Sequence, residues 1–342
     1  MMRILIVKLS SLGDLIHTFP ALTDAAEAVP QAQFDWLVDH SFAEVPAWHP
    51  AVNQVISLNL RQWRKQPRAA WQSGAFRAFV RRLRDQPYDL IIDAQGLLKS
   101  VLPAALARGP VVGYDRHSIR EAIACLGYRQ RYAVSRDWHA IRRIRSLFAQ
   151  ALGYVKRADS PPDYGLRIRR VNALPSPHIM LLHGASWSNK VWPVAYWIEL
   201  ARLASTLGEV LIPGHTAVEQ VRAQQIMEGA GTGRILPPLA LDDMADYIAT
   251  STAVVGLDSG LAHLAAALQV PAVTLYGPTE VGLSGAMGKY QSNLAVQFAC
   301  APCMRRTCHY TGESAVFPAC FATLTPVQVW QQLQQQIANV VD

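Results

Sequence analysis

The chain of 342 residues is poor in charge and has no long hydrophobic run. Charged residues make up 17% of the sequence and apolar residues 51%, a composition that excludes an intrinsically disordered chain. No run reaches the roughly 18 apolar residues that a membrane helix requires. The apolar stretch near the N-terminus runs into a lysine and a glycine turn without a small-residue cleavage site, which predicts a first strand and not a signal peptide. We therefore expect a cytoplasmic protein.

A glycine-rich dinucleotide fingerprint is missing as well. The first apolar strand is followed by "SSLGD", where NAD enzymes carry G-x-G-x-x-G, so an NAD-dependent enzyme is not indicated. Cysteine is scarce, with five residues, but four of them cluster near the C-terminus: Cys300, Cys303, Cys308 and Cys320. Their spacing could hold a structural zinc or iron ion. Because the spacing is irregular, it favours reduced, partly buried thiols over a metal site.

The charge that is present is unevenly placed. Residues 1–170 carry 25 Lys and Arg against 14 Asp and Glu, whereas residues 171–342 carry 7 against 11. The basic first half indicates an anionic partner, such as nucleic acid, an acidic membrane surface or a phosphorylated substrate. A surface that is basic simply for solubility is the alternative.

Strand and helix patterns alternate along the whole chain. "RILIVKL", "YDLIIDAQG" and "TAVVGLD" are typical of strands buried on both faces of a parallel sheet. The proline-rich stretch 155–178 is the best candidate for a linker. We therefore predict an α/β protein with two doubly wound domains, 1–170 and 171–342, that face a central ligand cleft. A final helix is predicted over 325–341 and could pack back on the first domain.

Three strand ends in the second half carry residues suited to a nucleotide. Asp258, Ser259 and Gly260 stand between a buried strand and a helix, where free backbone N–H groups favour a diphosphate. Ser186 and Lys190 follow another strand, and a lysine there could stabilise the charge of a departing phosphate. Further candidates are Glu219, whose carboxylate could bind ribose hydroxyls, and His263. Each has a structural alternative: a helix cap at Asp258, a packed helix residue at His263, and exposed surface charges at Lys190 and Glu219.

A carboxylate also follows the first strand. Asp14 stands where that strand turns into a helix, beside the small residues Ser11 and Gly13, which let a ligand approach the backbone. The residue either caps the helix or performs chemistry, and the local pattern alone leaves both roles open.

Taken together, these segments resemble the ADP-heptose:lipopolysaccharide heptosyltransferases, and among them the type I enzymes most closely. The matching segments are "ILIVKLSSLGDLIHTFPALTDA", "FDWLVD", "WRK", "IIDAQGLLKS", "REAIA", "HGASWSNKVWP", "GLDSGLAHLAAAL" and "VTLYGPT". The resemblance implies a GT-B fold and inversion at the anomeric carbon without a catalytic metal. It implies ADP-L-glycero-β-D-manno-heptose as donor. The implied acceptor is a Kdo sugar of Kdo-lipid A at the cytoplasmic face of the inner membrane.

The resemblance also implies a role for each candidate residue. Asp14 would be the general base, and Lys190 would act on the leaving group together with the other donor-binding residues, Ser186, Glu219, Asp258, Ser259, Gly260 and His263. The anionic acceptor would be bound by Ser11, Gly13, Arg61, Arg64, Lys65, Lys99 and Arg120. Asp93 would support this lining without performing chemistry. The remaining arginines would form a solvated or membrane-facing surface.

Two alternatives remain at this point. The loop after His183 reads Gly-Ala-Ser, which differs from the paired threonines typical of type I enzymes and leans toward type II, with a heptose acceptor. A non-enzymatic module that binds nucleotide or nucleic acid through the basic half is the second alternative. It does not explain two α/β halves with a carboxylate at the first strand end, and we expect no nucleic-acid partner.

Overall fold

The computed structural model describes residues 1–155, 160–168 and 177–341. The chain divides into two compact units, Met1–Arg167 and Ile168–Asp342. Half of the predicted linker over 155–178, residues 156–159 and 169–176, lies outside the described part of the chain.

The first unit is built around a six-stranded sheet. Its strands are β1 (Met2–Val7), β2 (Ala32–Asp39), β3 (Val52–Leu58), β4 (Leu90–Asp93), β5 (Val111–Tyr114) and β6 (Gln130–Tyr132). Its helices are α1 (Leu12–Ile16), α2 (Phe19–Ala28), α3 (Leu60–Lys65), α4 (Pro67–Gln72), α5 (Ala75–Leu83), α6 (Leu98–Leu106) and α7 (Ala140–Leu152). Short 3₁₀ turns span His40–Phe42, Val45–Trp48 and Ala122–Gly127.

The second unit has the same plan. Its strands are β7 (His178–Leu182), β8 (Glu209–Pro213), β9 (Arg234–Leu236), β10 (Ala253–Leu257), β11 (Ala272–Tyr276) and β12 (Gln291–Ala295). Its helices are α8 (Val194–Ala204), α9 (Ala217–Ala230), α10 (Leu241–Ala249), α11 (Gly260–Ala267), α12 (Val281–Ser284) and α13 (Pro326–Val341). Two 3₁₀ turns span Ser188–Lys190 and Ala319–Thr323.

Both sheets are parallel and share one strand order. The order is β3-β2-β1-β4-β5-β6 in the first unit and β12-β11-β10-β7-β8-β9 in the second. In each sheet the direction of winding reverses between two central strands, β1 and β4 or β7 and β10. Loops that leave those strands diverge at their carboxyl ends and open a crevice for ligands. The predicted doubly wound α/β fold is confirmed.

Burial on both faces explains the apolar strands. Ile4, Leu5, Ile6 and Val7 in β1 are fully buried, because helices cover both faces of a doubly wound sheet. The core of the second unit also includes the last helix, α13, through Val329 and Leu333. That helix contacts α8 and strands β10 to β12 of its own unit, so its apolar face is already covered there.

Some local predictions differ from the structure. The segment after β1, where the sequence indicates that a helix begins at Asp14, forms two helices, α1 and α2, because Pro20 has no N–H to donate and tolerates only the first turn of a helix. Strands β6 and β12 were not predicted, since each is a short edge strand with little apolar pattern. Within the described residues, every helix is too short or too polar to cross a bilayer.

Candidate active site

The loops after β1 and β4 are joined at the centre of the first sheet. Gln95 Oε1 accepts hydrogen bonds from the backbone N–H groups of Leu9 at 3.0 Å and Ser10 at 3.2 Å. Lys99 Nζ, on the first turn of α6, donates to Ser10 Oγ at 2.7 Å. Sequence reasoning missed Gln95, although its place directly after a buried strand was a usable signal. The topology therefore brings Lys99 to the loop that precedes Asp14.

Asp14 uses its two carboxylate oxygens differently. Oδ2 accepts from Ser11 N at 2.8 Å and from Ser11 Oγ at 2.9 Å, which closes a capping box at the start of α1. Oδ1 faces Lys8 Nζ at 4.0 Å, and the Asp14 side chain is 46% exposed. The capping role is therefore present. It occupies Oδ2, and the exposure of the side chain keeps the carboxylate within reach of a ligand.

The lysine that faces Asp14 is buried at the end of β1. Lys8 Nζ donates to the backbone carbonyl of Ala94 at 3.0 Å. Burial lowers the pKa of Lys8, and the charges of Asp14 and Asp93 partly restore it. Sequence reasoning missed this residue, because a lysine that ends an apolar strand resembles an ordinary surface residue.

Asp93, at the end of β4, organises the neighbouring loop from the interior. It is fully buried, and its carboxylate accepts from Ser100 Oγ at 2.9 Å, Tyr128 OH at 2.7 Å and the backbone N–H of Gln95 at 2.9 Å. Burial raises the pKa of Asp93, and these hydrogen bonds oppose the rise. The carboxylate therefore holds the loop and the start of α6 in place from beneath the site.

Several predicted acceptor residues gather around an open cavity of about 500 Å³ in the first unit. Its lining residues are Leu9, Ser10, Asp39, Leu60, Arg64, Lys65 and Lys99. Three cations against one carboxylate make the cavity suited to an anion.

The other predicted acceptor residues lie outside that lining. Ser11 is exposed beside Asp14, and Gly13 is buried within α1. Arg120 is exposed in the segment after β5 and is not among the described residues that line the cavity. The side chain of Arg61 lies outside the described part of the structure, although its backbone belongs to α3.

In the second unit, an ion pair joins the loops after β7 and β10. Lys190 Nζ donates to Asp258 Oδ2 at 2.6 Å and to the Asp258 carbonyl at 3.2 Å. Thr279 Oγ1 donates to the same Oδ2 at 2.7 Å, and His263 Nε2 lies 3.5 Å from Oδ1. Burial raises the pKa of Asp258, but contacts with His263, Lys190 and Thr279 outweigh burial and lower it. Sequence reasoning missed Thr279, which ends the matching segment "VTLYGPT".

The loop that carries Lys190 is braced from its other side. Lys190 Nζ lies 4.8 Å from the centre of the Trp187 ring, and Arg306 lies 5.7 Å from the same ring. Asn189 N donates to the Arg306 carbonyl at 3.2 Å. Because two cations and a ring are stacked together, the ammonium group is held at the strand end.

The N-terminus of α11 lies beside that ion pair. Ser259 is its N-cap residue and Gly260 its first residue, and both are half-buried. The first N–H groups of a helix have no intrahelical acceptor and attract anions. Ser186 is exposed in the loop after β7. These predicted donor residues therefore occupy strand ends on both sides of the switch point in the second sheet.

Glu219 is held by a capping box at the start of α9. Its Oε2 accepts from the backbone N–H groups of His215 at 3.1 Å and Thr216 at 3.0 Å. A Cβ placed on Gly184 would lie 2.5 Å from Glu219 Oε1. The carboxylate thus packs closely against the loop after β7, and a glycine at 184 is what permits this approach.

The cysteine cluster lines a separate cavity of about 460 Å³. Cys300, Cys303, Cys308 and Cys320 all contribute to its lining and are free thiols. Burial first, and then the neighbouring thiols, raise the pKa of Cys320 to about 11, so this thiol is protonated at neutral pH. Across the described ranges, no group of three or more His, Cys, Asp or Glu has the arrangement of a metal site. The metal alternative therefore has no support in this structure.

A family model described as glycosyltransferase family 9 (heptosyltransferase) matches residues 76–313. Lipopolysaccharide heptosyltransferase 1 of Pseudomonas aeruginosa is 47% identical, and the match covers 98% of each chain. Lipooligosaccharide heptosyltransferase 2 of Haemophilus ducreyi is 26% identical over 84% of this chain and 87% of its own.

Solved structures of the E. coli heptosyltransferase WaaC are also similar. The complex with ADP has a TM-score of 0.85 and 36% identity and covers 98% of this chain and 100% of its own. The complex with ADP-2-deoxy-2-fluoro heptose has a TM-score of 0.81 and covers 98% of this chain and 99% of its own.

Proposed function

Because the chain belongs to glycosyltransferase family 9, the heptosyltransferases, we propose that it moves L-glycero-D-manno-heptose from ADP-L-glycero-β-D-manno-heptose to Kdo of Kdo-lipid A. This step belongs to inner-core lipopolysaccharide synthesis. The observation that carries the proposal is the 47% identity, over 98% of the chain, to a protein named lipopolysaccharide heptosyltransferase 1. The same identity favours the type I acceptor over the heptose acceptor that the loop at 184–186 suggested.

The second unit is proposed to bind the donor. Lys190 and the N-terminus of α11 would hold the diphosphate, and Glu219 would bind ribose hydroxyls. The Lys190–Asp258 pair supports this assignment, since it keeps an ammonium group at the strand end that a nucleotide would approach. The negative charge that develops on departing ADP would be stabilised by these protein donors, which is why we propose a reaction without a catalytic metal.

Asp14 is proposed to be the general base of a single displacement. Oδ1 would take the proton of a Kdo hydroxyl as its oxygen attacks the anomeric carbon, and ADP would leave from the opposite face, which inverts the configuration. The exposure of Asp14 and the cap on its Oδ2 support the assignment, because the cap holds the carboxylate in one orientation. Lys8 would balance the carboxylate charge.

The acceptor is proposed to bind the first unit. Kdo carboxylates and lipid A phosphates would meet Arg64, Lys65 and Lys99 in the basic cavity, together with Arg61 and Arg120. Because such an acceptor is a membrane glycolipid, we propose that the protein is cytoplasmic and works peripherally at the anionic inner-membrane surface. The family is one of enzymes, so the non-enzymatic alternative is not proposed.

The replacement Asp14→Asn tests the base. An asparagine oxygen can still accept the Ser11 hydrogen bonds, so the helix cap persists while the base is lost. We expect turnover to fall by about 10² to 10⁴-fold, with ADP affinity, measured by calorimetry, unchanged. The matched control is Asp163→Asn, at an exposed carboxylate of the same unit that accepts from the backbone N–H of Gly165 at 2.9 Å; it makes the same change from carboxylate to amide and should retain wild-type turnover.

Wild-type turnover in Asp14→Asn would refute the assignment of the base. Product analysis with Kdo-lipid A and with heptosylated Kdo-lipid A as acceptors tests the type. Transfer to the heptosylated acceptor alone would assign the chain to type II.

A further inference from the structure

Four large apolar side chains are exposed on two adjacent elements of the first unit. Leu98 and Leu102 on α6 are 40% and 65% exposed. Ile123 and Leu126 on the 3₁₀ turn Ala122–Gly127 are 60% and 73% exposed. Residues four apart on an α-helix share a face, and so do residues three apart on a 3₁₀ helix. Each element therefore presents a pair of apolar side chains to solvent. We name these four residues the apolar patch.

The two elements are packed against each other. The backbone N–H of Leu98 donates to Glu121 Oε2 at 2.8 Å, which ties the start of α6 to the residue before the 3₁₀ turn. A Cβ placed on Gly127 would lie 2.5 Å from Val101 Cγ2, so the turn lies directly on the helix. The four side chains thus belong to one continuous surface and not to scattered positions. This matters because single exposed leucines are common on protein surfaces and need no explanation.

Exposed arginines lie at the ends of the two elements that carry the apolar patch. Arg131 Nε donates to the Cys125 carbonyl at 2.9 Å, which holds its guanidinium on the 3₁₀ turn. Arg108, Arg120 and Arg129 are also exposed near the ends of the two elements. Glu121 carries a negative charge beside the 3₁₀ turn, and its carboxylate accepts from the Leu98 N–H. An apolar surface with a basic rim matches the boundary between acyl chains and headgroups of an anionic bilayer.

The apolar patch is continuous with the basic cavity. Lys99 follows Leu98 on α6, and its ammonium group reaches Ser10 and lines the cavity with Arg64 and Lys65. One turn of helix therefore carries both a headgroup-binding cation and the first leucine of the patch. A glycolipid whose anionic sugars enter the cavity would have its acyl chains beside this leucine.

From this arrangement we propose that the apolar patch inserts into the acyl boundary of an anionic bilayer and seats the enzyme over its lipid-linked acceptor. The proposal rests on the proposed function in one respect, the glycolipid nature of the acceptor. It assigns the membrane contact to Leu98, Leu102, Ile123 and Leu126, and it gives the basic rim the role of attracting the surface. A second copy of the chain is the competing occupant.

The test uses the full chain and vesicles of phosphatidylethanolamine with or without phosphatidylglycerol. Wild-type protein should bind the anionic vesicles, and this binding should weaken as the salt concentration rises. The double variant Leu102→Gln and Leu126→Gln should bind at least about tenfold more weakly at every salt concentration. The matched control is Val221→Gln with Val327→Gln, which are 60% and 47% exposed on helices of the second unit, and it should bind as the wild type does. The double variant Leu102→Phe and Leu126→Phe keeps both positions apolar and should bind the vesicles as the wild type does.

Heptose transfer to two acceptors distinguishes a failure of this proposal from a failure of the proposed function. The glutamine variant should lose transfer to Kdo-lipid A in vesicles but keep wild-type transfer to a water-soluble Kdo acceptor without acyl chains. Unchanged vesicle binding in that variant would overturn the apolar patch as a membrane contact. A wild-type dimer in light scattering that the glutamine variant converts to monomer would overturn it in favour of a second copy. If wild-type protein transfers heptose to neither acceptor, the proposed function fails, whatever the vesicles show.

Discussion

The replacement Asp258→Asn should destabilise the second unit by breaking its internal ion pair. Asp258 and Lys190 are 7% and 12% exposed at the side chain, and their charged atoms lie 2.6 Å apart. An asparagine keeps the shape and can still accept from Thr279. It leaves the Lys190 ammonium mostly buried without a counter-charge, which is the costly step.

The magnitude follows from that burial. Removing one partner of a buried pair costs about 3 to 5 kcal/mol, and because this pair keeps slight exposure we expect about 3 kcal/mol. For a unit of this size, such a loss lowers the midpoint of thermal unfolding by roughly 6 to 12 °C. The shift is measured by calorimetry. The transition of the second unit is the one whose midpoint rises when ADP is added, because ligand binding stabilises the unit that holds the ligand.

A matched control is the exposed pair between Glu209 and Arg234. These side chains are 40% and 44% exposed, although their shortest contact is 2.7 Å. Glu209→Gln makes the same change from carboxylate to amide, and we expect it to cost at most about 1 kcal/mol because solvent screens the pair. If Asp258→Asn costs no more than Glu209→Gln, the reasoning from burial is wrong.

The pH dependence of Asp258→Asn has a definite sign. The pKa of Asp258 in the folded protein lies below the ordinary carboxyl value of 3.8, so its contribution to stability is complete above that value. As pH falls below about 4, the unfolded carboxyl takes up a proton first, and the contribution shrinks. The stability difference between wild type and variant should therefore narrow as the pH falls below about 4. A difference that widened with acid would contradict the assigned pKa direction.

Two further changes test contacts elsewhere in each unit. Gly184→Ala places a Cβ 2.5 Å from Glu219 Oε1, so the carboxylate must move. We expect ADP affinity in calorimetry to fall about tenfold, and an unchanged affinity would argue against Glu219 as a ribose ligand. Arg145→Met leaves Asp24 charged where both side chains are 3% exposed, and we expect a loss of about 3 to 5 kcal/mol in chemical denaturation. A loss below about 1 kcal/mol would mean that the site relaxes or admits water.

The buried strands and their order along the chain were predictable from local sequence. A run such as Ile4 to Val7 is apolar at every position, and a parallel sheet covered on both faces demands that pattern. The helix break at Pro20 and the edge strands β6 and β12 were not predicted. At an edge, half of the backbone groups have no neighbouring strand and the side chains are partly solvated, so little apolar signal remains.

The candidate site was predictable as a set of residue types at strand ends. Asp14, Lys190 and Asp258 each follow a buried strand, and such positions face the ligand side of a doubly wound sheet. What local sequence does not contain is which strands are neighbours. The adjacency of β7 and β10 turns a lysine and an aspartate 68 residues apart into an ion pair.

The sequence by itself therefore determined which segments are buried strands and which residue types stand at their ends, because burial and turn chemistry act over a few residues. The tertiary structure alone decided the roles of Lys8, Gln95 and Thr279, each of which has a partner in the loop of another strand. It also decided that Leu98 and Leu126 share one exposed surface, since that depends on how α6 and a distant turn pack together. Strand pairing and helix packing depend on contacts between residues that are far apart in the sequence, and no local pattern encodes such contacts.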